Sequence, residues 1–338
     1  MKRIFKQNEI YVFFIFILLC ALITSFNRSF FTLETLFGLL GSHSYEGILA
    51  LGFFVALLSG GIDVSFTAVS ITSAYIGCLL MIQTGIDNVL VGIVISIVIG
   101  IILGAINGIL IGYFKLPTLI VTLGTLTFYW GALTSFLQTF IGKTIITTTM
   151  LPSSVIQFGK TDVFTFTARN GSEVGLSLSS LIFIGLALLT WVLLKYTTLG
   201  RSIKALGGNI EAARRSGFKI TFIQVFIYAY IGFLAGIAGF TYIAYFRIAN
   251  PLYMIGTEIT IIAMVVLGGA SILGGKGSVI GTVLGFSLLT VIRTSLVLMK
   301  IPTYFQQFVI GLLIVISVTV TALREQRKAR ASRVLDIR

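Results

Sequence analysis

Charge is what this chain of 338 residues has least of. Asp, Glu, Lys and Arg make up 10% of it, against 57% hydrophobic residues. A soluble domain carries about 25% charged residues. A globule this poor in charge could not clothe its surface in polar groups, so a water-soluble enzyme is excluded. Disorder is excluded too, because it requires low hydrophobicity. The two cysteines, Cys20 and Cys78, both lie in apolar runs and read as buried thiols, implying neither a disulfide nor a metal site. The only histidine, His43, has no partners in a ligand spacing and reads as a satisfied loop residue. No Ser-His-Asp set or carboxylate pair can be assembled, which leaves an intramembrane enzyme without a catalytic group. Proline is scarce at four, whereas glycine is abundant at 36.

What is present is a series of long apolar runs. They are continuous rather than alternating in blocks of about ten, which favours membrane helices over a barrel. Small residues suit that setting because they let helices approach closely in lipid. A basic leader, Met1 to Lys6, precedes a run from Ile10 to Ile23. No small-residue cleavage site follows, and Ile17-Leu18-Leu19 before Cys20 is wrong for a lipoprotein signal, so this run reads as a first span. Further runs at Tyr45–Ser59, Val64–Ile82, Val89–Ile111, Pro117–Phe140, Leu178–Leu194, Phe222–Phe246, Glu258–Leu273, Val279–Met299 and Tyr304–Leu323 bring the expected number to about ten. The run Phe30–Leu40 is too short to span, and lies in the interface or leads into the second helix. The expected fold is therefore an all-α polytopic membrane protein, one transmembrane domain over residues 1–338.

An even number of spans puts both ends on one side. Seventeen of the 24 Lys and Arg fall on the side of Lys2, Arg3 and Lys6, of the 196–220 loop and of the basic tail 324–338; six fall on the other, with Arg293 inside a span. The positive-inside rule makes the first side cytoplasmic and the 141–177 loop extracytoplasmic. The net charge of +13 is then a topology signal. A nucleic-acid partner is not expected, because the basic groups have no domain of their own.

Three stretches depart from the apolar background. Gly60-Gly61-Ile62-Asp63-Val64-Ser65 weakens a helix twice and then offers N-cap groups for the next. It reads either as a capped tight connection or as a broken segment shaping a translocation path. In Gly200–Gly217, Asn209 is a good N-cap, Glu211 an acidic first-turn residue, Arg214 and Arg215 basic last-turn residues, and Gly217 a stop. This predicts a capped two-turn helix over Asn209–Ser216 on the cytoplasmic side, either a solvated connector or a docking helix for a soluble partner. Leu267–Gly285 is glycine-rich and contains Lys276. A phosphate loop needs Gly-x-x-x-x-Gly-Lys followed by Ser or Thr; here Ala270 replaces the first glycine and Gly277 the hydroxyl residue. Close helix packing and a tight inside turn is the physical reading.

These stretches carry a resemblance. Ser59-Gly-Gly-Ile-Asp-Val-Ser65, Leu116-Pro-Thr-Leu-Ile-Val-Thr-Leu-Gly124, Gly200-Arg201 with Gly207-Gly208-Asn209 and Ala212-Ala213…Ser216-Gly217, and the Leu267–Gly285 run resemble, in order and spacing, the permease subunit of bacterial ABC importers of the ribose or simple-sugar type. The resemblance implies two permeases, identical or paralogous, forming the path in the cytoplasmic (inner) membrane. It implies two ATPases docked from the cytoplasm and carrying the ATP and Mg, and an extracytoplasmic binding protein delivering a small polar solute. This chain would bind no cofactor and catalyse nothing itself. Arg201, Gly207, Gly208, Asn209, Glu211, Ala212, Ala213, Arg214 and Gly217 fall in the family's ATPase-coupling segment. Gly60, Gly61, Asp63, Ser65, Phe66, Asn107, Thr122 and Arg293 are the expected path residues. Where the family pattern after Asp63-Val64-Ser65 is Val-Gly-Ser, this chain has Phe66-Thr67-Ala68, which predicts a bulkier path wall and puts ribose itself in question. A faint echo between Leu58-Ser-Gly-Gly-Ile-Asp and Leu267-Gly-Gly-Ala-Ser-Ile fits a duplicated half-bundle or chance.

The remaining polar residues are ambiguous. Arg293 snorkels to the outer interface or donates to a solute. Asn107 and Gln224 are better placed to bond between helices than to solute. Glu258 either contacts the binding protein or is a first-turn acid. A monosaccharide is the leading cargo, with a nucleoside or flavin the alternative. An ion-coupled transporter would favour acids within the spans, whereas Asp63 and Glu258 lie near boundaries. The failed phosphate-loop pattern makes one prediction: the purified chain turns over no ATP in a phosphate-release assay. Sustained turnover abolished by Lys276→Ala would contradict it.

Overall fold

The computed structural model describes residues 7–26, 30, 32–142, 144–167, 173–302, 304–316 and 319. The basic leader, Arg28, Lys143, Arg169 and the tail 324–338 lie outside the described residues. The helices are α1 (Gln7–Phe26), α2 (Leu33–Leu58), α3 (Phe66–Thr84), α4 (Val89–Gly112), α5 (Thr118–Phe136, continued by a π-helical turn Leu137–Ile141), α6 (Ser153–Lys160), α7 (Leu178–Tyr196), α8 (Thr198–Gly208), α9 (Ile210–Arg215), α10 (Ile220–Phe246), α11 (Glu258–Leu267), α12 (Val279–Leu298) and α13 (Tyr304–Ile316). Seven are long and apolar enough to cross a membrane: α2, α3, α4, α5 with its continuation, α7, α10 and α12. Three shorter apolar helices, Glu9–Ser25, Glu258–Leu267 and Tyr304–Ile316, occupy the other expected runs.

The expected elements shift in four places. Phe30–Leu40 does lead into the second helix: α2 begins at Leu33, capped by Thr32, whose hydroxyl accepts from Thr35 N. His43 is therefore on a helix, not in a loop. The eleventh helix stops at Leu267 rather than Leu273, because Gly268 and Gly269 follow and Gly269 takes φ +87°. The fold is also not purely helical. Within 141–177, α6 is followed by an antiparallel hairpin of β1 (Asp162–Thr167) and β2 (Glu173–Ser177). Alternation in so short a polar stretch gives little signal against the surrounding helices.

The centre is α10 laid along α4, with α2 and α3 on its other sides. α4 and α10 cross through glycines. A Cβ at Gly100 would overlap the Gly232 carbonyl oxygen, and one at Gly104 would overlap Tyr228 O and sit 3.1 Å from Gly232 Cα. Backbone atoms cannot step aside as a flexible side chain can, so only glycine permits this approach. α4 turns its Ile, Val and Leu residues outward and packs along this glycine edge, which fits its position as the most apolar span. On the loop between α3 and α4, Asp87 accepts from the Ser153 hydroxyl and, at 2.8 Å, from Ser154 N. These donors, the Ser153 hydroxyl foremost, hold its carboxyl below the usual carboxylate range. Nearby, Ile146 pairs with Ala249 in both directions, at 3.0 and 2.9 Å. Gly104→Ile should lower stability by about 3 kcal/mol, the upper range of overpacking costs. Thermal unfolding in detergent checks it, and an unchanged midpoint would show that α4 and α10 do not meet this way.

Candidate functional site

The Gly60-Gly61 stretch is a true break. α2 ends at Leu58, Gly60 takes φ +83°, and α3 starts at Phe66. The exposed backbone of such a turn needs partners, and α5 supplies them. Thr118 Oγ1 accepts from Ile62 N at 3.2 Å, and Thr122 Oγ1 donates to Ile62 O at 3.2 Å. Two threonines one helical turn apart thus hold both polar groups of one residue, which gives the Leu116–Gly124 motif a physical reason.

Asp63 and Ser65 do not cap α3 as their order suggests. Asp63 Oδ1 accepts from Ser65 N at 2.8 Å and from the Ser65 hydroxyl at 2.7 Å, and no side chain caps the helix. Asn107 Nδ2 donates to Ser65 Oγ at 2.8 Å, and the Tyr129 hydroxyl donates to Asn107 Oδ1 at 3.3 Å. This chain of bonds ties α3, α4 and α5 together, so Asn107 does bond between helices. Asp63, Ser65, Asn107 and Thr122 are all buried. Phe66 is fully buried too, its ring 5.9 Å from that of Phe53. Gly60, Gly61, Asp63, Ser65, Asn107 and Thr122 therefore form one neighbourhood, with Phe66 behind it in the core.

Arg293 stands apart from that cluster. Its Nη1 donates to both carboxylate oxygens of Glu46 on α2, at 2.8 and 2.9 Å. Glu46 is fully buried and is also met by the Tyr45 hydroxyl at 3.1 Å and by His43 Nδ1 at 3.2 Å. Arg293 is thus paired, neither snorkelling nor free. Glu46 is the acid that local pattern does not pick out: it lies within a span, and an arginine inside another span is the signal that points to it. Glu258 is likewise inward: it accepts from the Thr67 hydroxyl and from Gly256 N, so it holds α11 to α3 rather than facing out.

The segment Gly200–Gly217 is a corner of two helices. Asn209 closes α8 through its N–H to Ala205 O at 3.0 Å and opens α9 through Oδ1, which accepts from Glu211 N at 2.9 Å and Ala212 N at 3.0 Å. Past the end of α9 at Arg215, Gly217 takes φ +83°. Arg214 pairs with Glu211 at 2.9 Å. Ala213 is buried against the bundle, while Glu211, Ala212, Arg214 and Arg215 are exposed, as is Arg201 on α8. A cavity of about 290 Å³ lies between this corner, the Gly60-Gly61 turn, and Gln224 and Tyr228 of α10. It brings the two groups of sequence-predicted residues to one place. Among the described residues no cluster could hold a metal ion, and Cys20 and Cys78 are buried free thiols.

The ion pair makes a prediction. Removing one partner of a buried pair costs about 3–5 kcal/mol. Arg293→Ala should show a loss of that order in thermal unfolding, and adding Glu46→Gln should recover part of it in a double-mutant cycle. Additive losses would mean the two residues do not interact.

Comparisons with known proteins agree with this architecture. Residues 35–318 match the family described as branched-chain amino acid transport system / permease component. The ribose import permease protein RbsC of Escherichia coli (strain K12) is 30% identical over 90% of each chain. The ribose import permease protein RbsC of Bacillus subtilis (strain 168) is 34% identical over 89% of this chain and 88% of its own. The autoinducer 2 import system permease protein LsrC of Photorhabdus luminescens is 30% identical over 92% and 88%. No solved structure matches. With its multi-pass helical bundle and a match over most of its length, the chain belongs to this permease family, the membrane-spanning components of sugar-type ABC importers.

Proposed function

We propose that this chain is one of two permeases in an ATP-driven importer of the bacterial inner membrane. The cargo is a small polar solute, a monosaccharide first of all, handed over by an extracytoplasmic binding protein. ATP and Mg are held by separate ATPase subunits. The relatives named for ribose import support the cargo class. The observation that carries the mechanism is α9. Its cap is complete, its inner side is fixed by Ala213, and its outer side is left open beside the broken α2–α3 connection. A connector needs no such rigidity, whereas a lever does.

The grouping of loops supports ten spans with both ends inside. The connections at residues 85–88, 142–152 and 247–257 meet one another through Asp87–Ser154 and Ile146–Ala249. The connections at 59–65, 197–219 and 268–278 meet at the other end, where Gly275 N donates to Leu58 O. Alternating connections gather at opposite ends, as ten helices threading a membrane would have it, and the basic residues put the second group in the cytoplasm.

In this reading the Glu46–Arg293 pair and the Asp63–Asn107–Tyr129 chain are scaffold. They lock helices in register around the path, and Glu46, the buried carboxylate of α2, is paired rather than free for ion coupling. Ala212→Glu would place a bulky charge on the open side of α9, and Gly217→Val would oppose the positive φ at its end. Both should abolish solute-stimulated ATP hydrolysis in vesicles reconstituted with ATPase and binding protein, while membrane insertion is kept. Wild-type activity and ATPase association in both variants would make this corner a mere connector. Labelling of a cysteine placed at Lys2 only after permeabilisation is expected; labelling in intact cells would overturn the inside placement.

A further inference from the structure

Three stretches of backbone meet at the cytoplasmic end with no side chain between them. Gly275 N donates to Leu58 O at 2.9 Å. A Cβ at Gly207 would overlap that same carbonyl oxygen and lie 2.7 Å from Gly275 N. A Cβ at Gly274 would lie 2.7 Å from Gly60 Cα and 2.9 Å from Gly207 O. The last turn of α8 therefore sits in a notch formed by two glycine turns, one closing α2 and one returning from α11 to α12. Both turns use left-handed backbone: φ is +83° at Gly60, +87° at Gly274 and +71° at Gly275.

Gly207 is three residues before Ile210, where α9 starts, and two before Asn209, the cap shared by both helices. Ile203 and Leu206 anchor α8 in the core. The corner is thus stiff on the α9 side and in backbone contact on the other. Where side chains meet, a small displacement is absorbed by rotamer changes. Where main chains meet through glycine, the displacement has to be passed on, because packed backbone has nowhere to yield.

We propose that Gly207 is the positioning residue of the transport cycle. Resting on the α9 docking reading above, it passes the movement of α9 by direct backbone contact to both the Gly60-Gly61 and the Gly274-Gly275 turns at once. The two broken stretches would then shift together, each carrying the inner ends of its flanking helices, α2 and α3 on one side and α11 and α12 on the other. Asp63, Ser65 and Ile62, held by Thr118, Thr122 and Asn107, would transmit the first of these shifts to α4 and α5.

A glycine outside the corner supplies the control. Gly185 on α7 has nothing within 4 Å of the place a Cβ would occupy. The test is hydrogen–deuterium exchange by mass spectrometry on the permease–ATPase complex in nanodiscs, with and without ATP plus vanadate. In the wild type, trapping should alter exchange at residues 209–217, 58–62 and 271–277 together. Gly207→Ala should keep the change at 209–217 and lose at least about fivefold of it at the other two stretches, the scale of a modest coupling. Gly185→Ala should behave as wild type.

A wild-type response confined to 209–217, or full responses at all three stretches in Gly207→Ala, would overturn the relay while leaving α9 as the docking helix. If adding the ATPase leaves 209–217 unprotected, the docking reading itself fails and takes the relay with it. Should Gly207→Ala prove too unstable to purify, the wild-type pattern alone decides between relay and isolated docking.

Discussion

Backbone that leaves a helix inside a packed membrane protein has to find new partners for its amides and carbonyls, since lipid offers none. Much of this molecule is organised around two such stretches, 59–65 and 268–278. Gly61 N turns back to Ala56 O at 3.1 Å. Ile62 is held on both sides by threonines of α5. Ser271 N bonds to Lys276 O at 2.9 Å, and Gly275 N crosses over to Leu58 O. The two irregular stretches thus help satisfy each other, and the helices that border them are fixed as a consequence.

The same rule explains the polar residues of the interior. Asp63 is not isolated: it collects the hydroxyl and amide of Ser65, and Asn107 and Tyr129 extend the chain. Glu46 and Arg293 neutralise each other across α2 and α12. Polar groups of this kind cost most when half satisfied, and here they are bonded in sets that join three helices or two. The departure from the family pattern at Phe66 is taken up in the core against Phe53, so its bulk shapes packing in the arrangement seen here. The outer side of α9, by contrast, is exposed.

Local signals are legible in the sequence. Asn209 has the two capping bonds that its position before Glu211 and Ala212 called for, and Gly217 has the left-handed backbone expected of a helix stop. The apolar runs lie where helices form, and the largest shift is at α2, which begins at Leu33 rather than Tyr45, because Ser42, His43, Ser44 and Glu46 dilute its hydropathy while all being helical. What could not be read depends on pairs far apart in the chain. Arg293 and Glu46 are separated by 247 positions, and Thr67 and Glu258 by 191. Nothing local marks such a partner except the cost of leaving either group alone. The meeting of Gly60, Gly207 and Gly274 was hidden for a further reason: glycine is common throughout, and only the three-dimensional approach separates a glycine that admits a neighbour from one that does not.

The central claim is that the open side of α9 is where an ABC ATPase sits. A photoreactive benzophenone side chain at position 212, activated in native membranes, tests it directly when the adducts are identified by mass spectrometry. The account predicts adducts to an ABC ATPase from position 212 and only lipid adducts from Ile102 on the outward face of α4. ATPase adducts from position 102, with none from position 212, would contradict it.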